Sequence, residues 1–156
     1  MDAALPLPLT DTLRKVAHVM QDARDPWWII ASAAMALHGA RPIDCADVDL
    51  LTSKRDAEAL LATLRIDAAP TGGTARFRSR IFARWEAPAL PVEIMAEFEV
   101  RAGDGWHIVR PVSRLAKQIG NTTLFVPSVD ELLAHCRLFG RPKDEQRAAV
   151  LQRLES

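Results

Sequence analysis

The sequence predicts an α+β domain: a mixed β-sheet flanked by helices, with a further helical part at the C-terminal end. Three observations carry that expectation. Apolar residues recur at helical spacing near both ends of the chain, in "TDTLRKVAHVMQD", "SKRDAEALLATL" and "SVDELLAHCRLFG". Short aromatic and β-branched runs, "WWIIA" and "ADVDLLT", stand among the first helices. Residues 74–100 instead alternate in part between polar and apolar side chains around prolines, the pattern of paired strands. At 156 residues the chain has the size of one domain with one core. Residues 1–156 are therefore expected to form a single unit whose C-terminal helical part covers about 128–156.

Each element has its own signal. The first helix covers residues 9 to about 22, with Leu13, Val16, Ala17 and Met20 on one side and Thr10 or Asp11 as its cap. Asp25-Pro26 breaks it, and "WWIIA" follows as a buried strand. "SAAMALHG" is a short helix opened by Ser32 and closed by Gly39. After the "ADVDLLT" strand, Ser53 opens the next helix, and Asp56 three residues on approximates a capping box. Ala57, Leu60, Leu61 and Leu64 form its apolar stripe. "TARFRSRIFARWEA" and "ALPVEIMAEFEV" read as strands around a turn marked by Pro88 and Pro91. "GDG" at 103–105 is a turn, and "WHIVRPV" and "TTLFVPS" are short extended segments. Ser128 and Glu131 form a second capping box, Gly140 ends that helix, and Pro142 opens the last one.

Composition narrows the function. Twenty basic residues balance twenty acidic ones, so a globally basic surface for gripping duplex nucleic acid is excluded, while a local basic patch is not. Cys45 and Cys136 have no paired spacing, which argues against a disulfide framework or a zinc ribbon. "MDAALPLPLTDTLRK" lacks the basic and apolar regions of a signal peptide. No apolar run approaches the roughly 20 residues that span a bilayer. A cytoplasmic protein with no membrane partner is expected.

The chemistry centres on carboxylates. Side chains two apart on a strand share a face, so Asp47 and Asp49 lie roughly 6–7 Å apart along the chain. Two such carboxylates repel unless a cation sits between them, and Mg²⁺ is commonly held by one or two carboxylates plus substrate phosphates. The plain alternative is a pair of surface ion pairs to arginines. A third acid, Glu93, sits between Val92 and Ile94 in a strand pattern and completes a cluster if the two strands are neighbours. Glu97 and Glu99 share its parity but read as solvated, and Asp44 reads as a turn residue. Ser32 begins a helix directly after a buried strand, a place for a phosphate or simply a cap. Ala31, Ala33 and Ala34 leave room for close approach. These parts suit a metal-bound triphosphate.

"WWIIASAAMALHGARPIDCADVDLL", "PVEIM" and "GRPKDEQRAAVLQRL", taken in order, resemble the minimal nucleotidyltransferases of the DNA polymerase β superfamily. The nearest likeness is to small prokaryotic members related to those of toxin–antitoxin and abortive-infection systems. The resemblance implies a nucleotidyltransferase-like sheet. It implies two divalent ions, Mg²⁺ or Mn²⁺, on Asp47 and Asp49, with Glu93 completing the second site and activating the acceptor hydroxyl. It implies that Ser32 and the backbone beside it, at Ala31, hold the β- and γ-phosphates of an NTP, whose NMP group passes to an acceptor as pyrophosphate leaves. Ala31 stands where that family carries glycine, and Glu93 where an aspartate is common.

Other residues admit more than one role. Arg76, Arg78 and Arg80 form either an electropositive wall beside the nucleotide or a solvated strand face, opposite Phe77. Lys143 and Asp144 either meet the nucleotide or cap and pair locally. His38, Trp27, Trp28, Trp85, Trp106 and His107 read as structural, and Cys45 has no base to make it a nucleophile. The acceptor is a small molecule, a protein or an RNA end. A groove completed by a second copy in a homodimer is one way to hold it. A non-catalytic nucleotide-binding or regulatory module is the competing function.

Overall fold

The structure is a computed structural model that describes residues 5–70 and 73–155. Helix α1 (Leu7–Val19) begins two residues before the expected start, with Pro6 in the N-cap position and Pro8 in its first turn. Thr10 is therefore inside the helix and not its cap. Of the expected stripe, Leu13, Val16 and Met20 are buried and Ala17 is half-buried, and Leu9 joins them in the core.

Strand β1 (Trp28–Ile30) runs without a loop into α2 (Ala31–Leu37), and β2 (Val48–Thr52) is followed by α3 (Lys54–Leu64). The long strands β3 (Phe77–Trp85) and β4 (Val92–Ala102) come next, then β5 (Gly105–Ile108). A hairpin of β6 (Leu115–Ile119) and β7 (Thr122–Val126) precedes α4 (Val129–Phe139) and α5 (Pro142–Gln152). Strand β6 falls outside the expected elements because its residues are exposed or half-buried and leave no apolar alternation to read. Among the described residues no helix is long and apolar enough to cross a membrane.

The main sheet is mixed, in the order β1-β2-β4-β3 with β5 on the far half of β4. Strands β2 and β4 are parallel, and the other pairs in this sheet are antiparallel. The register sets Asp49 directly beside Glu93. Alternation along β2 and β4 sends Val48, Leu50, Val92 and Ile94 into the larger core with α1, α2 and α3. Asp49, Leu51, Glu93 and Met95 have the opposite parity. Leu51 and Met95 join a smaller cluster with Ile30, Phe98, Val100 and Phe139. The acids thus sit on the less covered face, where a ligand can reach them.

Glu97, at φ +51°, interrupts that alternation where β4 leaves β2 and takes up β5. Beyond it Phe98 and Val100 join Met95's cluster, so parity carried forward from Glu93 no longer predicts facing.

A candidate metal and nucleotide site

Asp47 lies one residue before β2, and the backbone N–H of Val48 donates to the Pro91 carbonyl at 2.9 Å, tying this entry to the start of β4. Asp49 and Glu93 project from adjacent strands in register. The consequence is that carboxylate oxygens of Asp47, Asp49 and Glu93 lie within 4.8 Å of one another. Burial, reinforced by the negative charges of Asp47 and Glu93, pushes Asp49 up to about 7. Burial and the neighbouring Asp47 likewise raise Glu93. The nearest cation to Glu93 is Arg84, whose Nη1 is 3.8 Å from Oε1 while its Nε bonds Glu86 at 2.9 Å. The plain alternative of surface ion pairs to arginines therefore accounts for little of this cluster. Three mutually repelling oxygen donors on one sheet face fit a hard divalent cation, which would offset that repulsion.

Ala31 and Ser32 open α2 and line one cavity together with the three acids. The helix has Ile30 as its N-cap and no side-chain cap bond, so Ser32 is not the cap. Its hydroxyl is a buried neighbour of Cys45. The helix ends at Leu37, two residues before Gly39. Ala33 and Ala34 are fully buried and serve helix packing, not ligand approach. Ala31 has φ +60°. The departure from glycine here is thus a conformational matter as well as an added methyl, since an L-residue in this region costs about 1–2 kcal/mol.

The cavity has a volume of about 450 Å³, within the usual range for small-ligand sites. It brings together all of the expected site residues: Asp47, Asp49, Glu93, Ala31, Ser32, Arg78 and Lys143. Arg78 reaches its edge already engaged, with Nε donating to Glu99 at 2.9 Å and the guanidinium 4.0 Å from the Trp106 ring centre. Arg76 donates to the Phe139 carbonyl, and Arg76 and Arg80 are not in the cavity lining. The three arginines therefore do not form one wall. Phe77, Phe82, Phe98 and Phe139 supply the apolar side of the cavity.

Asp144 pairs locally, taking a bidentate bond from Arg141 at 2.6 and 3.0 Å. Arg141 and Arg147 also line the cavity and were not singled out from the sequence. A signal existed for Arg147, because Lys143 and Arg147 are four apart and share a helix face. His38 is structural, as expected, with Nε2 2.7 Å from the Pro127 carbonyl. Trp27 is a core residue set edge-on to Phe125, and Trp28 donates to the Ser113 carbonyl at 2.9 Å. Burial raises the Cys45 thiol, as suits a packing residue more than a nucleophile.

No family model matches the chain, and no curated protein does. Solved structures do. The Thermotoga maritima protein TM1012, assigned as a nucleotidyltransferase, superposes with a TM-score of 0.74 at 20% identity over 96% of both chains. LnuA, a lincosamide antibiotic adenylyltransferase with lincomycin bound, matches with a TM-score of 0.61 at 9% identity, over 97% of this chain and 99% of that one. ANT(2")-Ia in complex with adenylyl-2"-tobramycin matches at 0.59 and 13%, over 96% and 94%. With its mixed sheet, its flanking helices and a near end-to-end match to these structures, this chain is a small protein of the nucleotidyltransferase fold.

Proposed function

We propose that the protein is a metal-dependent nucleotidyltransferase that moves an NMP group from an NTP to an acceptor hydroxyl. The observation that carries this reading is the cluster of Asp47, Asp49 and Glu93 in a cavity that Ala31 and Ser32 also line. The likeness to adenylyltransferases in fold supports it. Asp47, Asp49 and Glu93 would hold Mg²⁺ or Mn²⁺, two ions per site, which supplies charge neutralisation at the phosphates and leaving group. Glu93 accepts the acceptor's proton. The acceptor oxygen then bonds to the α-phosphorus, the bond between that phosphorus and the bridging oxygen breaks, and its electron pair leaves with pyrophosphate. Ser32, Ala31 and Lys143 orient the phosphates, so that catalysis rests on positioning and electrostatics. The cavity suits a nucleotide with a small acceptor, and a second copy of the chain is one way to enclose a larger one.

Labelled NTPs incubated with Mg²⁺ or Mn²⁺ and a panel of small hydroxyl compounds, RNA and proteins test the reading. Transfer that disappears in Asp47→Asn is expected. Hydrolysis to phosphate with no transfer, or labelling that persists in Asp47→Asn, would sink it. The strained Ala31 favours one second reading, a nucleotide-binding module that has lost turnover. On that reading NTP binds without transfer, and Ala31→Gly restores transfer.

A further inference from the structure

We propose that the first two turns of α5 form the polyphosphate-binding subsite of this cavity, and that Asp144 is the positioning residue that aims its arginines. The inference rests on the nucleotide reading above and adds where the negative charge of the ligand is received. Arg141, Lys143 and Arg147 all line the cavity. Asp144, 1% exposed, carries no part of the lining itself. It bonds Arg141 through both oxygens at 2.6 and 3.0 Å, and Arg147 Nη1 lies 3.9 Å from the same carboxylate. One buried anion therefore holds Arg141 as a bidentate partner does and draws the Arg147 guanidinium to the same side by charge. Arg141 is held further by the rings of Phe77 and Phe139, at 4.8 and 5.7 Å from their centres.

The charge balance points to an anion beside the acids. Lys143 and Arg147 line the same cavity as Asp49 and Glu93. Yet neither forms an ion pair with the three clustered carboxylates. Lys143 is in no ion pair among the described residues. Three cations lining a cavity, none of them paired with its three clustered carboxylates and two of them beside a buried one, are arranged for a multiply charged ligand. A tripolyphosphate chain, with oxygens to spare for both metal and guanidinium groups, has that chemistry; a single phosphate engages fewer of them.

The test measures binding of inorganic tripolyphosphate, an NTP and the matching NMP, each with Mg²⁺, by calorimetry on the intact chain. The native protein is expected to bind tripolyphosphate. Arg147→Gln and Lys143→Gln should each weaken tripolyphosphate and NTP by about tenfold or more, as loss of a charged hydrogen bond does, while NMP binding changes less than about twofold. Asp144→Asn should weaken tripolyphosphate binding too, with partial rescue by Asp144→Glu and an unchanged Mg²⁺-induced shift in melting temperature. Should Asp144→Asn fail to fold, the Arg147 and Lys143 variants alone decide the matter. Native protein that ignores tripolyphosphate, or variants that weaken NMP and tripolyphosphate equally, would overturn the subsite. Failure of the underlying reading looks different: NTP then binds through α5 with no dependence on Mg²⁺ and none on Asp47.

Discussion

Two aspartates and a glutamate decide what this protein can be, and their identities and spacing were legible in the sequence. Asp47, Asp49 and Glu93 meet because alternation within β2 and β4 could be read and the parallel pairing supplied the register. What the sequence could not convey is backbone conformation at single residues. Nothing marks Ala31 or Glu97 as left-handed, yet both carry positive φ, and the flip at Glu97 separates Glu99 from Glu93. Ala31→Gly should raise stability by about 1 kcal/mol, because relief of left-handed strain exceeds the entropy that glycine adds to the unfolded chain. Urea unfolding checks this, and a loss of stability would mean that the Ala31 methyl packs more than it strains.

Two histidines give a prediction about pH. Burial lowers the pKa of His135 despite the Glu131 carboxylate beside it. Burial also lowers His38, against the pull of the Pro127 carbonyl, with Lys117 adding to the fall. Both therefore hold a proton less readily in the fold than in the unfolded chain, where the ordinary value is 6.5. These two groups make the unfolded state bind more protons as pH falls and cost stability below that value, while Asp49, raised to about 7, takes up its proton in the fold over the same range and acts in the opposite direction. The histidine contribution is read as a difference: between about pH 7.5 and 5.5 the urea midpoint of His135→Gln should fall less, or rise more, than that of the native protein. An equal change in that variant would remove His135 from the account.

At the scale of elements, the caps show both the reach and the limit of local reading. Ser53 and Ser128 cap their helices by accepting from the N–H of Asp56 and Glu131, as their spacing predicts. The return half of each box is absent, because both carboxylates are used over long range. Asp56 accepts the backbone N–H groups of Arg24 and Asp25 at 2.8–3.1 Å, joining the α1–β1 loop to α3. Glu131 accepts from Val112, and from Ser113 through both its N–H and its hydroxyl, anchoring the segment before β6. Such partners lie outside any sequence window. The place of Arg141 and Arg147 at the cavity likewise depends on where α5 docks, although the four-residue spacing of Lys143 and Arg147 was itself legible. Asp56→Ala should cost about 3 kcal/mol, since it strips a buried carboxylate from two amides. Ser53→Ala should cost about 1 kcal/mol. Thermal unfolding of the two variants orders them, and a larger loss from Ser53→Ala would reverse the claim that the loop tie outweighs the cap.

Across the whole molecule, the cluster that serves the ligand works against the metal-free fold. The main core, from Leu13 through Leu50 and Ile94 to Leu132, is fully buried. The opposite face of the sheet gathers three repelling carboxylates instead of more apolar cover. Folding without a cation must bear that repulsion, and an ion that binds only the folded state removes it. At a hundredfold excess over its dissociation constant the ion adds about 2.7 kcal/mol. For a chain of this size that is about 5–10 °C in melting temperature. Melting curves with Mn²⁺ or Mg²⁺ and with EDTA should differ by that margin, and the difference should vanish in Asp49→Asn. The same variant, without metal, should melt at or above the native protein because one of three repelling charges is gone. An Asn variant that keeps the full metal shift would place the ion elsewhere. One that melts well below the metal-free native protein would mean that the aspartate is held by the fold rather than by the ion.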